Sequence, residues 1–143
     1  MSISIFKSSL FKIYRPTHRS IFNIHDPKGI KLLTRLRVGL SHLRYHKFKH
    51  NFLDTLNPLC SCNIETESTC HYLLHCPFFT NIRNSLLDNI INIIGPITNL
   101  TDDDLVQILL FGDPSNNIDT NASILKLTIA YLKSSERFDI PLL

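Results

Sequence analysis

The sequence predicts a mainly α-helical chain with a small module rich in cysteine and histidine between the helices. Apolar residues recur every three or four positions in several segments, which is the spacing of one helix face. No segment alternates apolar and polar residues long enough to predict more than a small hairpin. All four cysteines of the 143-residue chain lie between positions 60 and 76, so one short segment carries its own chemistry.

The first helical stretch begins near Ile30, and its apolar stripe is Leu33, Leu36, Leu40 and Leu43. Gly39 and Ser41 interrupt the stretch, which therefore predicts two helices, with Ser41 capping the second.

Three further helices are predicted after the cysteines, over residues 77–94, 101–111 and 118–134. The middle one has Thr101 as its N-cap and three acidic residues in its first turn, where the helix dipole favours negative charge. Gly112 ends it.

The chain divides into three predicted segments. Residues 1–27 form an N-terminal extension, residues 28–96 a basic helix with the cysteine module, and residues 97–143 a helical C-terminal segment. Charge is uneven, with a net +9 over residues 1–57 and a net −6 over residues 58–143. A basic front half predicts a polyanionic partner. The alternative is that the two halves attract each other within the fold.

The longest apolar runs contain polar residues and are shorter than a membrane span. No apolar segment near the start has the length of a secretory signal. We therefore expect a soluble chain of the cytoplasm or nucleus that is not secreted and has no membrane partner.

The cysteine and histidine cluster, "CSCNIETESTCHYLLHC", admits three explanations. Disulfides suit secreted chains, and buried free cysteines would be expected to scatter along the sequence. A tetrahedral metal site needs four donors from two short facing elements. Two pairs in the pattern C-x-C-x8-H-x4-C satisfy that need, and the favoured ligands are Cys60, Cys62, His71 and Cys76. His75 and Cys70 are alternatives for the second pair.

Local signals favour this second pair. Ser68 or Thr69 can cap a short helix with His71 in its first turn. Pro77 disfavours the α conformation at Cys76, so the chain leaves the helix there. With four protein ligands no position is open for an activated water, so the expected cofactor is a structural zinc ion that contributes folding energy.

Two long stretches resemble the region after the reverse transcriptase domain in LINE-type, non-LTR retrotransposon polyproteins. They read "GIKLLTRLRVGLSHLRYHKFKHNFLDTLNPLCSC" and "ETESTCHYLLHCPFFTNIR". The similarity covers roughly residues 21–90 and includes the leucine- and arginine-rich helix, the paired cysteines, the "ET--H-L--CP" motif and a following arginine. It implies metal ligation by Cys60, Cys62, His71 and Cys76. It also implies that residues 1–27 are a remnant of a connection to an upstream polymerase domain.

A run of basic residues precedes the cysteines, with no acidic residue from position 27 to 53. The candidate nucleic-acid-binding residues are Lys28, Lys31, Arg35, Arg37, Arg44, His46, Lys47 and Lys49. Side chains of this kind bind phosphates with strongly salt-dependent affinity. The alternative is a solvated helix face. Tyr45 and Phe48 can stack on unpaired bases, although for Phe48 we expect packing in the core.

These observations and the resemblance together predict a non-catalytic, zinc-stabilised module that binds RNA template or target DNA for a reverse transcriptase. The alternative is a protein-interaction element that docks on a polymerase body without binding nucleic acid. The Tyr/Phe-x-Asp-Asp motif of the polymerase is missing, and "TDDDL" at 101–105 fits a helix start. We therefore predict neither an enzyme nor a small-molecule substrate.

Overall fold

The computed structural model describes residue 21 and residues 23–139, and this part of the chain is mainly helical. Its helices are α1 (Pro27–Arg37), α2 (Arg44–Lys49), α3 (Thr80–Ile94), α4 (Asp102–Phe111) and α5 (Ile118–Ser134). A π turn (His71–His75) and a 3₁₀ turn (Pro77–Phe79) precede α3. The described residues contain no β-strand, only an antiparallel bridge between Leu59 and Thr66. None of these helices has the length and apolar content to cross a membrane.

The predicted fold class is confirmed, with a cysteine- and histidine-rich module between helices. Most of the predicted N-terminal extension and the last four residues lie outside the described part of the chain. The segment just before α1 contributes to the core, since Ile24 is buried.

The last two helices confirm their sequence signals, whereas α3 begins at Thr80, after a 3₁₀ turn over the first three residues of the predicted helix. Thr101 and Asp104 form a reciprocal capping box at the start of α4, and Gly112 ends that helix with φ of 76°. A side chain at position 112 would also collide with Asn121, so glycine is required twice over. Asn117 caps α5 by accepting a hydrogen bond from the backbone of Thr120.

The prediction that Ser41 caps the second helix is wrong. Leu43 is the N-cap of α2, and Ser41 is buried beside it, with its hydroxyl accepting from the Leu43 N–H at 3.2 Å. The first N–H of α2, at Arg44, instead donates to Glu67 Oε1 at 2.7 Å. The carboxylate of Glu67, distant in sequence, thus accepts the helix-capping hydrogen bond that we expected the nearby Ser41 hydroxyl to accept.

Helix α5 is the centre of the fold and packs against α1, α3 and α4. Its buried side chains include Ile124, Leu125 and Leu132, each essentially inaccessible to solvent. Gly29 in α1 faces Ile129 so closely that a Cβ would collide with it. This close approach brings the basic N-terminal helix onto the same core as the C-terminal helices.

A buried ion pair joins the end of the described chain to the middle. Glu67 is 2% exposed, and its carboxylate accepts from Arg137 Nη2 at 2.6 Å and Arg137 Nε at 2.7 Å. Arg137 also donates to the His42 carbonyl at 3.0 Å. The bidentate pair therefore holds three segments together: the loop before the π turn, the approach to α2, and the residues after α5.

We predict that Glu67→Gln destabilises the protein, because the amide cannot accept both hydrogen bonds from Arg137 and also cap α2. Removing one partner of a fully buried pair costs roughly 3–5 kcal/mol. The Arg137 side chain is 25% exposed, so solvent reduces the loss, and we expect about 2 kcal/mol. Urea unfolding measures it. The exposed Glu136→Gln is the matched control and should change stability by less than about 0.5 kcal/mol; equal effects would contradict the prediction.

Candidate metal centre

A tight turn presents the first pair of cysteines. The Asn63 N–H donates to the Cys60 carbonyl at 2.9 Å, and Asn63 has a positive φ of 64°. On the other side, the Cys60 N–H donates to the Glu65 carbonyl at 2.9 Å. The predicted small hairpin is therefore reduced to one bridge that folds Cys62 back beside Cys60.

The π turn presents the second pair. It begins where Ser68 Oγ accepts from the His71 N–H at 3.1 Å, as the predicted cap requires. The Cys76 N–H donates to the His71 carbonyl at 2.7 Å, five residues back. In an α-helix, residues five apart point about 140° away from each other. The wider turn brings His71 and Cys76 towards the same side, and Cys76 then leaves in an extended conformation before Pro77.

Two contacts anchor this turn to the helices. Arg83 of α3 is buried, and it donates to the carbonyls of Leu73, at 2.9 Å, and Cys76. Tyr72 is fully buried, stacks edge-to-face on Tyr131, and accepts from the Tyr131 hydroxyl at its carbonyl at 2.6 Å. The turn that carries His71 and Cys76 is therefore anchored to the hydrophobic core through Tyr72 and Arg83.

The four favoured donors converge. The Sγ atoms of Cys60, Cys62 and Cys76 and a ring nitrogen of His71 all lie within 4.8 Å of one another and could hold a metal ion. Cys60 Sγ lies 3.9 Å from Cys76 Sγ, and Cys62 Sγ lies 3.3 Å from His71 Nε2. A tetrahedron with the bond lengths of zinc has S–S edges of about 3.8 Å and S–N edges of about 3.6 Å. These two separations are therefore close to those of a tetrahedral zinc site.

Glu65 lies outside the four donors and supports one of them, His71. Its Oε1 lies 2.6 Å from His71 Nδ1, so the carboxylate accepts from that nitrogen and leaves Nε2 free to face the cysteines. Metal-binding histidines commonly carry such a partner, which fixes the tautomer and the ring orientation. Glu65 was not among the residues predicted from the sequence, although its place in the loop between the two ligand pairs was a usable signal.

The thiols differ in acidity. Burial raises the pKa of Cys60 to about 12 and also raises that of Cys76. Burial acts on Cys62 in the same direction, but hydrogen bonds from the Ile64 and Glu65 backbone and from its neighbouring cysteines outweigh it and lower its pKa. An incoming cation would therefore displace protons from at least the two buried thiols, and binding must weaken as pH falls.

The two alternative ligands lie elsewhere. Cys70 and His75 do not join the four donors but form a second group with Asp102, the first residue of α4. The structure therefore divides the six candidate donors between two places.

The basic residues take two kinds of position. Lys28, Lys31 and Arg35 of α1 are exposed, as is Lys49 of α2. Arg37 is turned towards α4, where its Nε donates to the Leu110 carbonyl at 2.5 Å and its guanidinium lies 5.0 Å from the Phe111 ring centre.

Arg44 and Lys47 line an open cleft of about 580 Å³ that also includes His42, Arg137 and Ser61, the residue between the first two cysteines. Lys47 pairs with Asp54 at 2.7 Å, at the cleft wall.

Phe48 contradicts its expected place in the core, because it is 42% exposed. Tyr45 is also exposed. Helix α2 is short and packs through few residues, so both rings remain on its outer side.

His46 is buried and is not placed to contact a nucleic acid. Its Nδ1 lies 2.7 Å from Ser41 Oγ, and its Nε2 lies 3.4 Å from Thr69 Oγ1. Burial lowers the pKa of His46, and the positive charges of His50 and Lys49 lower it further. His46 therefore acts in the fold, where it links α2 to the segment before the π turn.

We predict that Cys62→Ser abolishes metal binding at the four-donor site and lowers the melting temperature, because three donors remain. Metal content by mass spectrometry and thermal unfolding measure both effects. Cys70→Ser makes the same chemical change outside the site, and it should keep the tightly bound ion and melt at a higher temperature than Cys62→Ser. Loss of the tightly bound ion in both variants would contradict the assignment.

We predict that His46 makes stability fall at acidic pH. Its folded pKa is below the ordinary value of 6.5, so the unfolded chain binds more protons as pH drops below 6.5, and stability is fully present only above that value. His46→Gln should reduce the slope of unfolding free energy against pH, measured at fixed zinc concentration. The exposed His25→Gln is the control, and an unchanged slope in His46→Gln would refute the prediction.

Comparison of the chain with models of protein families, with curated proteins and with solved structures finds no match. The retrotransposon resemblance therefore rests on its motifs alone, and function must be argued from the metal centre and the surface beside it.

Proposed function

We propose that this chain is a non-catalytic, zinc-stabilised module that binds single-stranded nucleic acid, either RNA template or target DNA. The observation that carries the proposal is the continuity of the four-donor site with a cationic cleft. Ser61, which lies between two of the donors, lines the same cleft as Arg44 and Lys47.

Zinc is the ion that the donor set favours. Three thiolates and one imidazole at tetrahedral positions suit structural zinc sites, whereas magnesium and calcium prefer oxygen ligands. Cys60, His71 and Cys76 are each at most 2% exposed, so the ion would be closed off from substrate. The role that fits is to fix the loop that forms one wall of the cleft.

Three basic side chains line the cleft, Arg44, Lys47 and Arg137, against two aspartates, Asp54 and Asp139. Burial lowers the pKa of His42, and the positive charges of Lys47, Arg35 and Arg137 lower it further. At this point of the cleft their combined effect outweighs that of Asp54, which acts in the opposite direction. The exposed lysines of α1 extend the positive surface beyond it, and phosphate groups are the complementary ligand. By resemblance, the partner assembly is a reverse transcriptase body.

We predict that binding of a single-stranded RNA weakens steeply with salt, and that Arg35→Gln weakens it further. Removing one phosphate contact should reduce the slope of log K against log salt by about 0.7. Fluorescence anisotropy at several salt concentrations measures the slope. Lys126→Gln removes an equal charge from an exposed position on α5 and should leave the slope unchanged. Binding that is absent at low salt or indifferent to salt would refute the proposal, as would equal effects of the two variants.

A second candidate is a protein-interaction element, which exposed apolar side chains favour. Leu53 is 96% exposed and Leu56 is 86% exposed, and Phe52 beside them is 48% exposed. Contiguous apolar surface of this kind often marks a protein contact. Gel filtration separates the candidates, because a dimer that persists at high salt without RNA binding supports the interaction element.

A further inference from the structure

We propose that Cys70, His75 and Asp102 bind a second divalent transition-metal ion, in an outer site open to solvent. The inference goes beyond the proposed function, since neither nucleic-acid binding nor the four-donor site requires it.

The donors are already gathered. One ligand atom from each of the three residues lies within 4.8 Å of the other two. His75 Nε2 lies 2.7 Å from Asp102 Oδ2, a hydrogen-bonding distance, which would widen to about 3.3 Å if both atoms bound one tetrahedral ion. Cys70 is half-buried, whereas the other two side chains are exposed, so an ion could enter from solvent.

The π turn explains why a second donor pair exists. Cys70 and His75 are five residues apart, as are His71 and Cys76. A turn wide enough to bring one such pair together brings the pair before it together as well. The wide turn that brings His71 and Cys76 together therefore also brings Cys70 and His75 together, one residue earlier in the chain.

Helix α4 supplies the third donor and a negative field. Asp102 and Asp103 are in its first turn. The negative charges of Asp102, Asp103 and Glu65 all act on Cys70. An ion pair between His75 and Asp102 alone does not account for the Cys70 thiol next to them. A dication would offset the crowded negative charge and engage all three groups.

The donor types select the ion. A thiolate and an imidazole favour zinc, cobalt and related ions over magnesium or calcium, and the carboxylate is compatible with them. Three protein ligands leave a fourth position that water would fill. Such an ion would tie the start of α4 to the π turn, and it would bind more weakly than the closed inner site because its ligands are exposed.

The test is a stoichiometric titration of the reduced, metal-free chain with zinc in competition with a chromophoric chelator. Wild type should bind two equivalents, one tight and one weaker. Cys70→Ser and Asp102→Asn should each lose the weaker equivalent and keep the tight one. Asp103→Asn removes the same charge from the neighbouring residue and should keep both.

Repeating the titration with cobalt adds a spectroscopic readout. The second equivalent should show thiolate-to-cobalt absorption in wild type and lose it in Cys70→Ser. A wild-type chain that binds a single equivalent overturns the inference, as does equal weakening by Asp102→Asn and Asp103→Asn. If the wild-type chain does not bind the tight equivalent, or does not bind RNA, the proposed function fails instead. Failure of this inference can therefore be distinguished from failure of the proposed function.

Discussion

The π turn at His71–His75 is the constraint on which the rest of the molecule depends. In this turn the Cys76 N–H donates to the His71 carbonyl, five residues back. The side chains of His71 and Cys76, which would point apart in an α-helix, therefore both face the loop that carries Cys60 and Cys62. The same turn buries Tyr72 against α5 and leaves Cys70 and His75 facing the start of α4. One irregular turn thus orients the inner donors, the core contact and the outer donors.

Polar interactions hold residues 50–70, the segment before this turn, because several of its apolar side chains are not buried. Leu53, Leu56 and Ile64 remain largely exposed. Contacts within the four-donor cluster and buried hydrogen bonds of two charged groups, Arg83 and Glu67, therefore hold this segment and the turn that follows it. Arg83 donates hydrogen bonds to carbonyls at the end of the turn. The Glu67 carboxylate accepts hydrogen bonds from the first N–H of α2 and from Arg137. Losing any of these leaves unpaired buried groups, which is costlier than losing a surface contact.

This arrangement connects the metal to the proposed function. The loop between Cys60 and Cys62 is one wall of the cationic cleft, so an ion that fixes the loop also fixes the cleft. Glu67 reaches the cleft through Arg137, which lines it. The surface proposed to bind phosphates is therefore shaped by buried interactions rather than by the flexible lysine side chains alone.

The sequence by itself determined features that depend on neighbouring residues. Thr101 and Gly112 predicted the ends of α4, and the spacing of Cys60, Cys62, His71 and Cys76 predicted the convergent donor set, because capping and turn geometry are local. Only the tertiary structure decided features that join distant segments. Among these are the pairing of Glu67 with Arg137, seventy residues away, the burial of His46, the exposure of Phe48, and the separation of Cys70 and His75 from the inner donors. Packing against other segments, which no local pattern encodes, decides such outcomes.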